Sequence, residues 1–207
     1  MTTTKNQHDI VSINAFKPIS TSTLGHLTEV GYLSDIRSQV PQQKMLGRIV
    51  TARIFPPDAG ILRDALIKAQ AGDVLAIECA TNDHYACWGE LRNLAAQVKK
   101  LAGVIVAGHV TDISALRSQS FPVFARGVSA LTTRTNTNSQ RGEISSGEIN
   151  SVINIAGVAI RPGDIAIGDD DGVFVFSSEY ASSLLASAKA KEEQDQQRRK
   201  QLLSDLS

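Results

Sequence analysis

Apolar positions along the chain fall into two spacings, and the chain switches between them repeatedly. Leu46–Phe55 carries an apolar run of strand character that stops at Pro56-Pro57. Ile61, Ala65, Leu66 and Ala69 then recur at helical spacing, up to Gly72. Asp73–Ala80 is a short, mostly apolar strand, and residues 88–100 return to helical spacing with Leu91, Leu94, Ala95 and Val98 as an apolar stripe. Gly103–Gly108 predicts a buried strand, Asp112–Gln119 a short helix and Phe121–Ala125 another strand. Strands alternating with helices predict an α/β chain in which helices cover a parallel or mixed sheet.

The flanks differ from this middle. Residues 1–9 are polar and read as loose, and Ser20–Val30 predicts a capped short helix with Leu24, Leu27 and Val30 on one side. Residues 132–146 read as a long polar loop containing Arg134, Arg141 and Glu143. After it, 150–160, 164–168 and 172–176 predict strands, separated by the turns Arg161-Pro-Gly-Asp and Asp169-Asp-Asp-Gly. Ser177 is placed to cap a last helix to about Leu203, strongly charged after Lys189. No linker or change of composition divides the chain, which predicts one domain.

Composition narrows the classes. Of 207 residues, 42% are hydrophobic, enough for a packed core, and the 21 basic residues equal the 21 acidic ones. No overall field therefore attracts nucleic acid. No apolar run approaches the roughly 20 residues that span a membrane, and the first residues lack the apolar centre of a signal peptide. Cys79 and Cys87 make no disulfide framework and are too far apart for a CxxC pair, so they read as buried thiols in a cytoplasmic protein.

Candidate chemistry concentrates between residues 84 and 112. Gly89-Glu-Leu-Arg92 stands where a loop enters a helix, so several backbone N–H groups have no partner within the helix. Such an end binds a carboxylate or phosphate, or it is an ordinary helix start with Glu90 set against the dipole. Asp112 ends an apolar strand and opens a helix. It is either an N-cap or a ligand for Mg²⁺, which often takes one or two protein carboxylates and keeps several waters. His84, beside Asp83 and near the helix entry, is a better acid–base candidate than His109. Asp169-Asp-Asp-Gly172 lacks the spaced ligands of a calcium loop and reads as a turn.

These segments together resemble the RraA-like family, which includes the 4-hydroxy-4-methyl-2-oxoglutarate/4-carboxy-4-hydroxy-2-oxoadipate aldolases and the regulator of ribonuclease E activity. The resemblance runs over roughly 20–190 through Trp88-Gly-Glu-Leu, Gly103-Val-Ile-Val-Ala-Gly-His-Val-Thr-Asp112, Phe121-Pro-Val-Phe-Ala-Arg-Gly127, Gly157-Val-Ala-Ile-Arg-Pro-Gly-Asp164 and Asp169-Asp-Asp-Gly-Val-Phe-Val-Phe176. It implies a swivelling-type β/β/α sandwich over residues 20–190, between a loosely ordered segment 1–19 and a charged helical arm 191–207. It also implies a homotrimer or homohexamer with sites between subunits, to which Arg134 and Arg141 of the polar loop could reach.

The family's enzymes carry an acid, twenty residues, Arg-Asp, two residues and a second acid. Glu90 matches the first acid and Asp112 the aspartate associated with Mg²⁺ or another divalent cation. Gly89, Glu90, Leu91 and Arg92 fall at the quartet whose amides hold a substrate carboxylate. Thr111 stands where the arginine is expected and Ala115 where the last acid is expected. The resemblance thus implies a divergent metal-dependent lyase acting on a 2-oxo acid through an enolate, with Glu90 or His84 handling protons and Arg92 placed to supply the missing charge. The alternatives it leaves are the same pocket turned to isomerisation or dehydration, and a non-enzymatic regulator that binds a larger protein.

Overall fold

The computed structural model describes residues 13–81, 83–133 and 146–206. Its helices in chain order are α1 (Thr21–Gly25), α2 (Ile61–Lys68), α3 (Glu90–Val98), α4 (Ile113–Ser118) and α5 (Ser178–Asp205). Its strands are β1 (Arg37–Ser38), β2 (Met45–Ile54), β3 (Val74–Cys79), β4 (Ala86–Trp88), β5 (Gly103–Val110), β6 (Val123–Val128), β7 (Gly147–Ile149), β8 (Ile153–Ile155), β9 (Val158–Ile160), β10 (Ile165–Asp169) and β11 (Gly172–Phe176).

The main sheet runs β1-β6-β5-β3-β2-β10-β11, with β4 on β5 and β7 on β2, while β8 and β9 form a separate hairpin. The centre is parallel: β2 with β3, β3 with β5 and β5 with β6. β10 and β11 are antiparallel to each other, and β10 to β2. β2 joins the two halves, since Met45–Arg48 pair with β10 and Ile49–Ile54 with β3.

The sheet curls until its ends nearly meet. Residues 31–39 form a strap between them. Val175 N–H donates to the Gly31 carbonyl at 2.9 Å and Leu33 N–H to the Val173 carbonyl at 3.0 Å. On the far side β1 pairs with β6, and Gln39 N–H donates to the Val123 carbonyl at 2.8 Å. Only glycine fits at the start of the strap. Gly31 has φ +75°, and a Cβ there would lie 2.0 Å from the Val175 carbonyl oxygen.

Three apolar cores explain the uninterrupted apolar strands. Val74, Ala76, Ile105 and Ala107 point inside the curled sheet with Phe124, Ala166 and Val175. Their sequence neighbours Leu75, Ile77, Val104 and Val106 point outward and pack with Leu62, Leu66 and Ala96 of α2 and α3. Both faces are buried, so β3 and β5 show no polar alternation. Across β10 and β11, Ile165, Ile167, Phe174 and Phe176 pack under Ala181 and Ala188 of α5. Phe16 and Ile19, read from sequence as part of a loose segment, are buried in this third core.

Ser177 caps α5 by accepting from Tyr180 N–H at 3.2 Å, and every described residue of this helix from 196 onward is exposed. Two sequence expectations change. Of the three apolar residues expected on one side of the first helical segment only Leu24 is buried, because α1 stops at Gly25 and Leu27 and Val30 turn to solvent. In α3 the expected stripe faces outward, with Leu91 81%, Leu94 43% and Val98 83% exposed, while Asn93 and Ala96 face the core. Arg134, Arg141 and Glu143 lie outside the described residues. Among the described residues, no helix is long and apolar enough to cross a membrane.

Candidate functional site

The loop before α3 is itself a strand. Residues Ala86–Trp88 form β4, because Ala86 and Trp88 pair with His109 and Val110 at the end of β5. This brings the C-terminal ends of β4 and β5 side by side, each followed at once by a helix. Thr111 N–H donates to the Trp88 carbonyl at 2.8 Å and extends the pairing by one bond. The two helix starts, at Gly89 and Asp112, therefore stand next to each other.

Their contact is direct. Glu90 N–H donates to Asp112 Oδ2 at 3.0 Å. Asp112 precedes α4 but makes no side-chain cap to its own helix. It takes a left-handed backbone, φ 54° and ψ 37°, which aspartate tolerates better than most residues, and so its carboxylate reaches the first amide of α3 instead. This is the helix end where a negative charge is favoured. Gly89 has no side chain to cap with, and a Cβ on it would lie 2.6 Å from Asp112 Oδ2 and 2.7 Å from Thr111 Cγ2. With the Glu90 amide taken by Asp112, and Asn93 N–H donating to the Gly89 carbonyl at 3.0 Å, the first-turn amides of Leu91 and Arg92 remain the donors that an α-helix leaves unpaired.

A cavity of about 340 Å³ opens over this junction, lined by Gly89, Leu91, Arg92, Thr111 and Asp112 together with Ala86–Trp88, Thr132 and Thr133. Five of the residues singled out from the sequence thus converge. Glu90 gives its amide to Asp112, and its side chain is exposed. His84 is not among the lining residues; its ring stands beside His109, with centroids 6.2 Å apart. His109 Nδ1 lies 2.6 Å from the Asp83 carbonyl, and the Asp83 carboxylate is bound by Arg126 at 2.6 Å. Since that carbonyl can only accept, His109 carries its proton on Nδ1.

A partly buried polar chain ties the start of α3 to the far end of α4. The Trp88 indole N–H donates to Asn93 Oδ1 at 3.0 Å, and Asn93 Nδ2 donates to Gln119 Oε1 at 2.6 Å. Asn93 is fully buried, and Gln119 caps the far end of α4. Sequence reasoning missed this pair, as it did Thr132 and Thr133, because one polar residue in a helix or loop gives no sign of its direction. Of the two cysteines read as buried thiols, Cys87 is buried and Cys79 partly so, and their Sγ atoms are 4.0 Å from each other. Hydrogen bonding between the two thiols and burial both push the Cys79 thiol far above its ordinary pKa.

For a metal, the donor set is narrow. Among the described residues, no three His, Cys, Asp or Glu side chains group to hold an ion. Asp112 is exposed at the cavity with Oδ2 engaged by an amide. One hard carboxylate oxygen suits Mg²⁺, which keeps most of its waters, and not a closed zinc site.

Residues 19–175 match the sequence model of the RraA-like family, described as Aldolase/RraA. The chain belongs to the RraA-like family. Over 203 residues it is 28% identical to a protein of Halalkalibacterium halodurans named as a candidate 4-hydroxy-4-methyl-2-oxoglutarate aldolase, covering 97% of this chain and 93% of that one. It is 31% identical over 175 residues to an uncharacterised protein of Methanocaldococcus jannaschii, covering 83% of this chain and 79% of that one. The fold matches a crystal structure described as an unusual member of the RNase ES inhibitor RraA protein family, from Streptomyces coelicolor. That match has a TM-score of 0.76 at 23% identity and covers 91% and 96% of the two chains. The mixed α/β single domain with its nearly closed sheet is the RraA-like fold. In this RraA-like chain the α3 start, Asp112 and Thr111 lie around one cavity.

Proposed function

We propose that the protein is a divergent metal-dependent lyase that acts on a 2-oxo acid or related carboxylate by retro-aldol cleavage or decarboxylation. The observation that carries this reading is the junction of two helix starts, where free first-turn amides and a hard carboxylate line one cavity. The amides of Leu91 and Arg92 would receive a substrate carboxylate. Asp112 would hold Mg²⁺, which when bound supplies a Lewis acid toward the substrate's oxo group. Thr111 adds a neutral hydroxyl at the same wall. Glu90, exposed at the start of α3, would move the proton through water. His84 is the second candidate for that role.

The test is pyruvate release from oxaloacetate and from 4-hydroxy-2-oxo acids, with Mg²⁺ or with EDTA. Release that stops with EDTA supports the reading, and no metal-dependent release rejects it.

We further propose a homotrimer or homohexamer. Leu91, Leu94 and Val98 present an apolar face on α3 to solvent, and a contiguous exposed apolar patch marks an interaction site. Leu91 also lines the cavity, so a neighbouring copy on this face would border the site. Leu91→Glu with Val98→Glu should lower the mass found by light scattering to that of the monomer; an unchanged mass rejects this assembly.

A non-enzymatic regulator that binds a larger protein is the rival reading. It is favoured by Ala115, which leaves α4 without a second acid one turn after Asp112. Stable capture of a partner by a protein that releases no pyruvate would decide for it.

A further inference from the structure

Arg92 is the one cation among the described residues that line the cavity, and its surroundings differ from those of other half-buried arginines. Arg53 is held by Glu78 at 2.7 Å and Glu148 at 2.8 Å, and Arg126 by Asp35 at 2.7 Å and Asp83 at 2.6 Å. Arg92 is likewise only partly exposed, yet its bonds go to neutral carbonyls. Nη1 donates to the Cys87 carbonyl at 2.5 Å and Nη2 to the Ala59 carbonyl at 3.2 Å. No carboxylate pairs with it among the described residues. A charge withdrawn from water without a counter-charge is costly. Burial accordingly draws the Arg92 guanidinium below its ordinary pKa.

The two carbonyl bonds fix the plane of the guanidinium without neutralising it. Arginine carries five N–H donors in a rigid fork, so two bonds leave others available. Arg92 lines the same cavity as Gly89, Thr111 and Asp112. A fixed cation with spare donors at a cavity wall suits one occupant, an anionic oxygen pair.

We infer that Arg92 is the anion anchor of this cavity, pairing with a carboxylate of the bound ligand. This rests on the cavity being a ligand site, as proposed above, and adds the residue that selects for charge. Cys87 and Ala59 act as its positioning groups, through their backbones alone. Binding would therefore depend on the anion's charge even with the metal removed.

The probe is oxalate, titrated calorimetrically into the full chain, once with Mg²⁺ and once with EDTA. Wild-type protein should bind oxalate in both arms. Arg92→Met should bind it on the order of 10- to 100-fold more weakly, as expected for losing hydrogen bonds to a charged group. Arg92→Lys should retain part of the affinity. Equal affinity of wild type and Arg92→Met, or no oxalate binding by wild type with EDTA, overturns the proposal.

If Arg92→Met does not fold, the Arg92 side-chain Nε–H resonance of wild type decides. It should shift on adding oxalate, and an unmoved resonance overturns the proposal. Oxalate binding that needs Arg92 but comes with no metal-dependent pyruvate release rejects the lyase reading and leaves the anchor standing. Pyruvate release that is unaltered in Arg92→Met rejects the anchor alone.

Discussion

Replacing Gly89 with alanine probes the junction at its tightest point. The backbone there is extended, φ −150° and ψ −167°, so alanine strains no dihedral angle and the whole effect comes from the added methyl. That carbon would lie 2.6 Å from Asp112 Oδ2, 2.7 Å from Thr111 Cγ2 and 3.4 Å from Asp112 Cγ. Neither neighbour is the loose end of a long side chain, and Asp112 is held by its left-handed backbone. The carboxylate must swing away and give up the Glu90 amide. Overpacking of this kind costs about 1–3 kcal/mol. The lost bond adds less than the roughly 1.5–3 kcal/mol of a buried charged bond, because Asp112 is exposed. A total of about 1–4 kcal/mol lowers the Tm of a domain this size by roughly 2–16 °C. Differential scanning calorimetry measures the Tm, and Mg²⁺ titration should show weaker binding as Asp112 turns from the cavity. A Gly89→Ala protein with wild-type Tm and wild-type Mg²⁺ affinity would refute the contact and, with it, the geometry of the site.

Thr111→Arg restores a fixed positive charge beside Asp112 and should raise metal-dependent pyruvate release from oxaloacetate, by up to about 10²–10³ in kcat; steady-state kinetics check it, and no gain counts against the lyase reading. Asn93→Ala leaves the Trp88 indole and Gln119 without their shared partner and should cost about 2–4 kcal/mol, read as a lower urea midpoint; an unchanged midpoint refutes the tie. Glu192 feels burial, which alone would raise its pKa, but hydrogen bonds from Thr23 and the Ser20 amide outweigh it and hold the group below its ordinary 4.5. A depressed carboxylate contributes stability that is present above 4.5 and lost as pH falls through the folded value. Glu192→Gln should therefore lose less stability than wild type on acidification below about pH 4.5, and parallel curves would refute the assignment.

The elements legible in the sequence are those whose pattern records their surroundings. β3 and β5 read as continuous apolar runs because helices cover one face and the curled sheet encloses the other. Ser20 and Ser177 announced their helices because a capping hydroxyl acts locally. The α3 stripe was legible as a pattern but not in its direction. Periodicity cannot tell a face that packs inside the chain from one left outside, and here the inward positions hold Asn93 and Ala96. β1, β4 and β7 are two or three residues long, too short to show a period. Asp112 was singled out as a cap or a metal ligand. Its partner, the Glu90 amide, depends on β4 aligning with β5, a pairing that no local spacing encodes.

The strap of residues 31–39 has a meaning beyond geometry. A sheet with free margins offers rows of unpaired N–H and C=O groups on which other chains can add strands. Here one short segment covers β11 on one side and β6 on the other, so a single local opening would bare two such margins at once. Protection against strand addition between molecules is thus concentrated in a stretch that begins at Gly31, where no side chain can be accommodated. The same few residues that shape the fold around its core also occupy the backbone groups on which a strand of another copy could add.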